Sequence, residues 1–278
     1  MAELLFGTGG VPHSAKNSSV LSGIERISEL GLDNLEVEFV HGVRTGEEKC
    51  RKYGERAREL GVALTCHGPY YINLNAKEPE KKEASIGRVL NTARAAYWMG
   101  AESYTFHAAF FMKQDEEKVY GVVREAIERI MEEIEKEGIG GPRLSPELTG
   151  KPTQWGSLEE LVRICQDVPG VHPCIDFAHA HARSGGEFNS YDEFCSILEA
   201  IEKGLGKEYL QRLHIHVSGI HYSDKGERNH LVLQESDLKY EELLRALKDH
   251  EVGGTVVCES PSLEEDAALL KETYNKLK

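Results

Sequence analysis

The sequence predicts an α/β protein: one (β/α)8 barrel of the TIM type over residues 1–278, with a metal site at the C-terminal face of its strands. Three observations carry this expectation. Eight short apolar runs of β type alternate with eight amphipathic helical stretches, the pattern of parallel strands joined by crossover helices. Six of the predicted strands deliver side chains of metal-binding type, His67, His107, Glu147, Asp176, His216 and Glu259, at intervals of 40, 40, 29, 40 and 43 residues. That spacing is the length of one strand-helix unit, so these side chains recur at equivalent positions. Finally, 278 residues suit one barrel of about 250. An open nucleotide-binding sheet would need a Gly-x-Gly-x-x-Gly turn after the first strand, and Gly7-Thr-Gly-Gly10 lacks that spacing.

In chain order, Leu4 to Thr8 is the first strand, and the helix from about Ser18 to Leu30 stops at Gly31, a usual helix terminator. Leu35 to Val40 is the second strand, followed by a helix from about Thr45 to Leu60 that Gly61 closes. Val62 to Cys66 delivers His67, and the charged helix after it, Pro79 to Met99, ends at Gly100. Ser103 to Phe106 delivers His107, ahead of an acidic helix over 115–137. The Gly138–Pro142 turn leads into the strand that delivers Glu147. Ser157 with Glu160 three residues on is a capping box, which opens the next helix.

Val171 to Gly186 is the stretch around which the chain is organised: a short apolar strand whose end turns abruptly to Asp176, His179 and His181. A helix follows over 191–202. Leu213 to Val217 alternates so that His214 and His216 share a face. Ser218 to Asp237 reads as the longest polar connection, before a helix near 240–248, a strand over 254–258 that delivers Glu259, and a closing helix.

Forty-seven acidic against 33 basic side chains give a formal charge of −14, which argues against a broad electrostatic grip on nucleic acid but leaves room for a local one around bound cations. The six cysteines form no Cys-x-x-Cys pair, and three lie inside apolar strands, so reduced, buried thiols in a cytoplasmic protein are expected. With no basic region ahead of a hydrophobic run and no 18-residue apolar segment, neither export nor membrane spanning is expected.

In a parallel barrel the six strand-end residues would converge on one cavity at the C-terminal face. Each would be costly if buried without a partner, so a metal site explains them together. With His179 they exceed what one tetrahedral ion needs, and a carboxylate such as Glu147 can bridge two ions. Such clusters suit phosphoester hydrolysis.

These motifs resemble endonuclease IV, the apurinic/apyrimidinic (AP) endonucleases built on a TIM barrel with a three-zinc centre, and the chain looks like a divergent, archaeal-type member. His67-Gly-Pro-Tyr-Tyr-Ile-Asn-Leu74 is similar to the family's His-Ala-Pro-Tyr segment, and Phe106-His107 to its second histidine. Glu147 stands in the bridging position, Ile175-Asp176-Phe-Ala-His179 is similar to a Leu-Asp-Thr-x-His segment, His216 falls at the next histidine, and Glu259-Ser-Pro261 resembles the terminal Glu-Thr-Pro. The resemblance covers nearly the whole chain. It implies one zinc on His67, His107 and Glu147, and a second on Glu147, Asp176, His216 and Glu259. It implies a third on His179 with an Asp-Arg-His segment, where this chain instead reads Glu227-Arg228-Asn229-His230, so His230 and Glu227 are the candidates, with His181 and His221 as alternatives.

The implied activity is hydrolysis of the DNA backbone 5′ to an abasic site by metal-bound hydroxide, with Glu147 the central catalytic carboxylate and two or three Zn2+ ions (or Mn2+) as cofactors. The implied partner is double-stranded DNA with abasic sites, met by a monomeric cytoplasmic protein without membrane association. Tyr70 and Tyr71 fit a duplex-distorting role by position, Arg44 offers a wedge, and Lys151, Arg183, Lys225 and Arg228 could contact phosphates. The competing reading is a sugar isomerase or epimerase of the xylose-isomerase-like barrel class, with Glu147, Asp176, His216 and Glu259 holding one Mn2+ or Mg2+. A metal-binding barrel without catalysis is a third. His67 and His107 discriminate, because a zinc cluster needs both as ligands.

Overall fold

The computed structural model describes residues 3–277. Strands β1 (Leu4–Gly9), β2 (Asn34–Glu38), β3 (Ala63–His67) and β4 (Ser103–Phe106) alternate with helices α1 (Val20–Glu29), α2 (Glu47–Leu60) and α3 (Pro79–Met99). A two-residue strand β5 (Ala109–Phe110) precedes α4 (Glu116–Glu137), β6 (Arg143–Pro146), a second short strand β7 (Gln154–Trp155) and α5 (Leu158–Asp167). Then come β8 (Cys174–Asp176), α6 (Phe177–Arg183), α7 (Tyr191–Leu205), α8 (Lys207–Leu210), β9 (Leu213–Val217), β10 (Gly219–Ser223) and β11 (Gly226–Leu231). Helix α9 (Tyr240–Asp249), β12 (Gly254–Cys258) and α10 (Glu264–Lys276) complete the chain.

Eight of these strands form one parallel sheet in the order β6-β4-β3-β2-β1-β12-β9-β8. Isolated parallel bridges, Leu144 with Val171 and Glu147 with Cys174, bring its two edges together, so the barrel is nearly closed. This is the architecture expected from the sequence. Two helix ends follow the predicted punctuation, with Gly61 and Gly100 in the left-handed conformation at the ends of α2 and α3, and Gly138 does the same for α4. Ser157 and Glu160 form the capping box of α5 in both directions.

Period-two alternation sorts the strand residues between two environments. Leu35, Leu64, Tyr104, Leu144, Ile175, Ile215 and Val256 are buried apolar residues of the strands. Their neighbours Asn34, Glu36, Thr65, Ser103, Thr105, Ser145, His214 and Thr255 are equally buried but polar. The polar set has the parity of His67, His107, Glu147, Asp176, His216 and Glu259, and so shares their face of the sheet. The chemistry at the barrel mouth therefore continues a polar barrel interior.

The short strands β5 and β7, which pair antiparallel, and helix α8 were not expected, and two further departures bear on the site. The polar connection Ser218–Asp237 contains an antiparallel hairpin, β10 with β11. Phe177–Arg183 forms a helix directly after β8, because Asp176 caps it: its carboxylate accepts the His179 N–H at 2.7 Å. All six cysteines are free and buried, as expected. Among the described residues, no helix is long and apolar enough to cross a membrane.

β1 passes very close to β2, where a Cβ on Gly7 would lie 1.8 Å from the Asn34 carbonyl oxygen. Relieving that overlap requires the two strands to part. Gly7→Ala is expected to lower the free energy of unfolding by about 3 kcal/mol, measured as a fall in the denaturant midpoint at unchanged slope.

Candidate metal centre

The six strand-end residues meet at the C-terminal mouth of the barrel and sort into two groups that share Glu147, one of His67, His107 and Glu147 and a second of Glu147, Asp176, His216 and Glu259. A third group beside them is His179, Glu227 and His230, and within each group the ligand-type atoms lie within 4.8 Å of one another. Glu147 has no exposed surface and lies at the centre. Its Oε2 is 3.1 Å from His67 Nε2 and 3.2 Å from His107 Nε2, while its Oε1 is 3.2 Å from His179 Nδ1 and 3.4 Å from His216 Nδ1. His216 Nδ1 is also 3.4 Å from Glu259 Oε1.

The second nitrogen of most of these rings is already engaged. His67 Nδ1 lies 2.7 Å from the Gly68 carbonyl, His179 Nδ1 3.0 Å from that of Leu148, and His230 Nδ1 3.0 Å from that of Glu259. A carbonyl can only accept, so in the neutral ring the proton sits on Nδ1 and the lone pair on Nε2. In all three neutral rings Nε2 then turns its lone pair toward the cluster, which is how protein scaffolds orient imidazoles toward a metal.

The third group depends on the hairpin. Glu227 and His230 are three residues apart, an odd separation that would put them on opposite faces of a regular strand. Pairing shifts register between His221, opposite Asn229, and Tyr222, opposite Glu227, so Arg228 is an extra, bulged residue. The bulge restores the parity, and both side chains face His179, with Glu227 Oε2 3.7 Å from its Nε2. Gly150 leaves the room: a Cβ there would lie 2.7 Å from Glu227 Cβ and 2.9 Å from His179 Cδ2. The other histidines weighed for this group lie elsewhere. His181 has both nitrogens engaged, by Glu187 O at 2.8 Å and Asp237 at 3.1 Å, and His221 is exposed on β10.

The electrostatics suit cations. Glu147 Oε1, Asp176 Oδ2 and His216 Nδ1 are buried without a hydrogen-bond partner, which is costly unless something else coordinates them. Burial disfavours charge on Glu147, yet the imidazoles of His107 and His216 hold its carboxyl well below the usual range. Burial likewise opposes protonation of His67 and His179, but Glu38 and Glu147 push the first up to about 10, and Asp176 and Glu147 push the second up to about 10. Surplus carboxylate draws protons onto the imidazoles, and bound divalent ions would displace them. Donor types, burial and unpartnered atoms all fit divalent ions.

Sequence reading missed two carboxylates. Glu36 is buried with no exposed surface, and Glu38 forms a further group with Glu36 and Glu259. Their signal was the i, i+2 pair of glutamates within an otherwise apolar strand.

Around the mouth, Tyr70 and Tyr71 stand 63% and 61% exposed. Tyr70 lies 6.3 Å from the His67 ring and Tyr71 stacks on His41. Arg44 and Lys225 are exposed on loops, Arg228 is exposed at the bulge of β11, and Lys151 Nζ is 3.6 Å from Glu227. The Arg183 guanidinium instead donates to the carbonyls of Thr149, Lys151 and Gln154, holding the β6–α5 loop in place.

The model of the xylose isomerase-like TIM barrel family matches residues 24–278. The chain belongs to this family. A protein of Methanocaldococcus jannaschii described as uncharacterized is 42% identical over 274 residues, 99% of this chain and 98% of that one. A probable endonuclease 4 of Aquifex aeolicus is 24% identical over 239 residues, 81% of this chain and 80% of that one. Among solved structures, a D-tagatose 3-epimerase-like protein matches with TM-score 0.74 at 18% identity, covering 97% of this chain and 96% of that one. Endonuclease IV from Thermus thermophilus matches with TM-score 0.71 at 22% identity, covering 97% of each. At these identities the structural likenesses speak to the fold, which nucleases and sugar epimerases of this family share.

Proposed function

We propose that this member of the xylose isomerase-like family is a metal-dependent phosphodiesterase of endonuclease IV type, a monomer that hydrolyses the DNA backbone 5′ to abasic sites. The observation that carries the reading is the grouping of ligand-type side chains around Glu147. A sugar epimerase using one ion needs only Glu147, Asp176, His216 and Glu259. Here two further groups, one on His67 and His107 and one on His179, Glu227 and His230, face that quartet. The 24% identity to a probable endonuclease 4 over most of both chains supports the same reading.

In this reading His67, His107 and Glu147 hold one ion, Glu147, Asp176, His216 and Glu259 a second, and His179, Glu227 and His230 a third. Two or three Zn2+ ions, with Mn2+ an alternative, would supply Lewis acidity toward phosphoryl oxygens and lower the pKa of a water. The chain's own side chains do the rest. Tyr70 and Tyr71 offer exposed aromatic faces for an unstacked nucleotide, and the exposed cations Arg44, Lys225 and Arg228 would contact backbone phosphates. The phosphodiester is thereby positioned over the buried carboxylates, from which duplex DNA would otherwise be repelled.

The test is a duplex oligonucleotide with one central abasic analogue, incubated with protein loaded with zinc, manganese or magnesium. Cleavage immediately 5′ to the lesion is expected, with undamaged duplex left intact. If no metal supports cleavage and a manganese-loaded sample epimerises a ketohexose, the epimerase reading replaces this one.

A further inference from the structure

A buried chain of polar side chains crosses the barrel interior beneath the metal-binding atoms. Glu36 on β2 has no exposed surface, and its two carboxylate oxygens lie 2.9 Å from His214 Nε2 and 2.9 Å from His216 Nε2. The rings share one face of β9, with centroids 5.0 Å apart and the two Nε2 atoms 3.2 Å apart. On the far side, Ser103 Oγ from β4 lies 3.0 Å from His214 Nδ1. These are ion-pair distances: neither oxygen of Glu36 has a partner of full hydrogen-bond geometry among the described residues, so the two imidazoles at 2.9 Å are what the structure sets against its charge.

A carboxylate can only accept, so Glu36 favours a proton on the His216 Nε2 beside it, and the 3.2 Å hydrogen bond between the two Nε2 atoms is met when His216 donates and His214 accepts. His214 Nδ1 then carries the proton and donates to Ser103 Oγ. For His216 the consequence reaches the mouth of the barrel, because its lone pair is left on Nδ1. That is the nitrogen facing Glu147 and Glu259, each at 3.4 Å. His67, His179 and His230 use backbone carbonyls for the same purpose and present Nε2. His216 presents the opposite nitrogen and depends on a side chain from another strand.

We propose that Glu36 is a positioning residue of the metal centre: by accepting from Nε2 it commits Nδ1 of His216 to the ion held with Glu147, Asp176 and Glu259. The inference rests on the reading that this quartet binds a divalent ion. It is independent of whether the substrate is DNA or a sugar. Carboxylates that orient a metal-bound histidine are worth about 10–100-fold in metal affinity.

The experiment compares the full-length unaltered protein with Glu36→Met, which keeps side-chain length but removes both acceptors, and with Ser103→Ala, which cuts the chain at its other end. Zinc affinity is measured by chelator competition, and stoichiometry by elemental analysis. Glu36→Met is expected to bind one zinc about 10–100-fold more weakly while the remaining zinc is held as before. Ser103→Ala is expected to keep every affinity, because Glu36 still holds His216. Equal affinities in the unaltered and Glu36→Met proteins would overturn the proposal. Should Glu36→Met fail to fold, the zinc-loaded unaltered protein decides by histidine nitrogen NMR. A His216 ring protonated at Nε2 and coordinated through Nδ1 supports the proposal, and the reverse pattern refutes it. An unaltered protein that takes up no divalent metal would instead sink the metal reading itself.

Discussion

Glu147→Gln protein is expected to cleave abasic duplex about a hundred- to a thousandfold more slowly than the unaltered chain, the scale of losing a group that organises charge stabilisation in a buried site. The substitution preserves shape. It replaces one of the two oxygens with an amide nitrogen that cannot accept from, or ligate beside, the two imidazoles on that side. Oε2 faces His67 and His107, and Oε1 faces His179 and His216, so a single side chain serves two of the groups at once. Single-turnover cleavage together with elemental analysis checks this, and bound metal should fall with the rate. His221→Ala, on the exposed surface of β10, is the matched control and should retain full activity. Near-normal cleavage by Glu147→Gln would show that the carboxylate is not the shared group proposed.

Stripping the metal with a chelator is expected to lower the melting temperature by about 5–10 °C, because a ligand at a hundredfold excess over its Kd stabilises the native state by about 2.7 kcal/mol. Several ions would add to this. The physical reason is local: Glu147, Asp176 and His216 keep buried atoms without hydrogen-bond partners, and Glu36, Glu38 and Glu259 crowd the same end of the barrel. Differential scanning calorimetry before and after chelation, then after zinc is restored, measures it. An unchanged transition would mean that the cluster neutralises itself by shared protons, as the raised His67 and His179 suggest for the metal-free chain.

The barrel itself was legible in the sequence. Gly61 and Gly100 end helices where they were expected to, Ser157 opens α5, and the strand over 254–258 has its expected bounds. These are local matters, settled by backbone conformation and by hydrogen bonds within a few residues. The convergence of His67, His107, Glu147, Asp176, His216 and Glu259 was legible for a related reason: equivalent positions on parallel strands reach the same face of a barrel whatever the details. What was not legible depended on pairing between distant segments. Ser218–Asp237 looked like a polar loop because its residues carry little apolar alternation, and only pairing of β10 with β11, with Arg228 bulged between them, turns Glu227 and His230 to one side. Glu36 was passed over because a single strand does not say what lies across the barrel from it. Side-chain type and spacing along the chain therefore determined the fold and the list of candidate ligands. Only the tertiary structure decided which nitrogen of each histidine is free and which carboxylate stands behind it, since those depend on contacts between strands far apart in sequence.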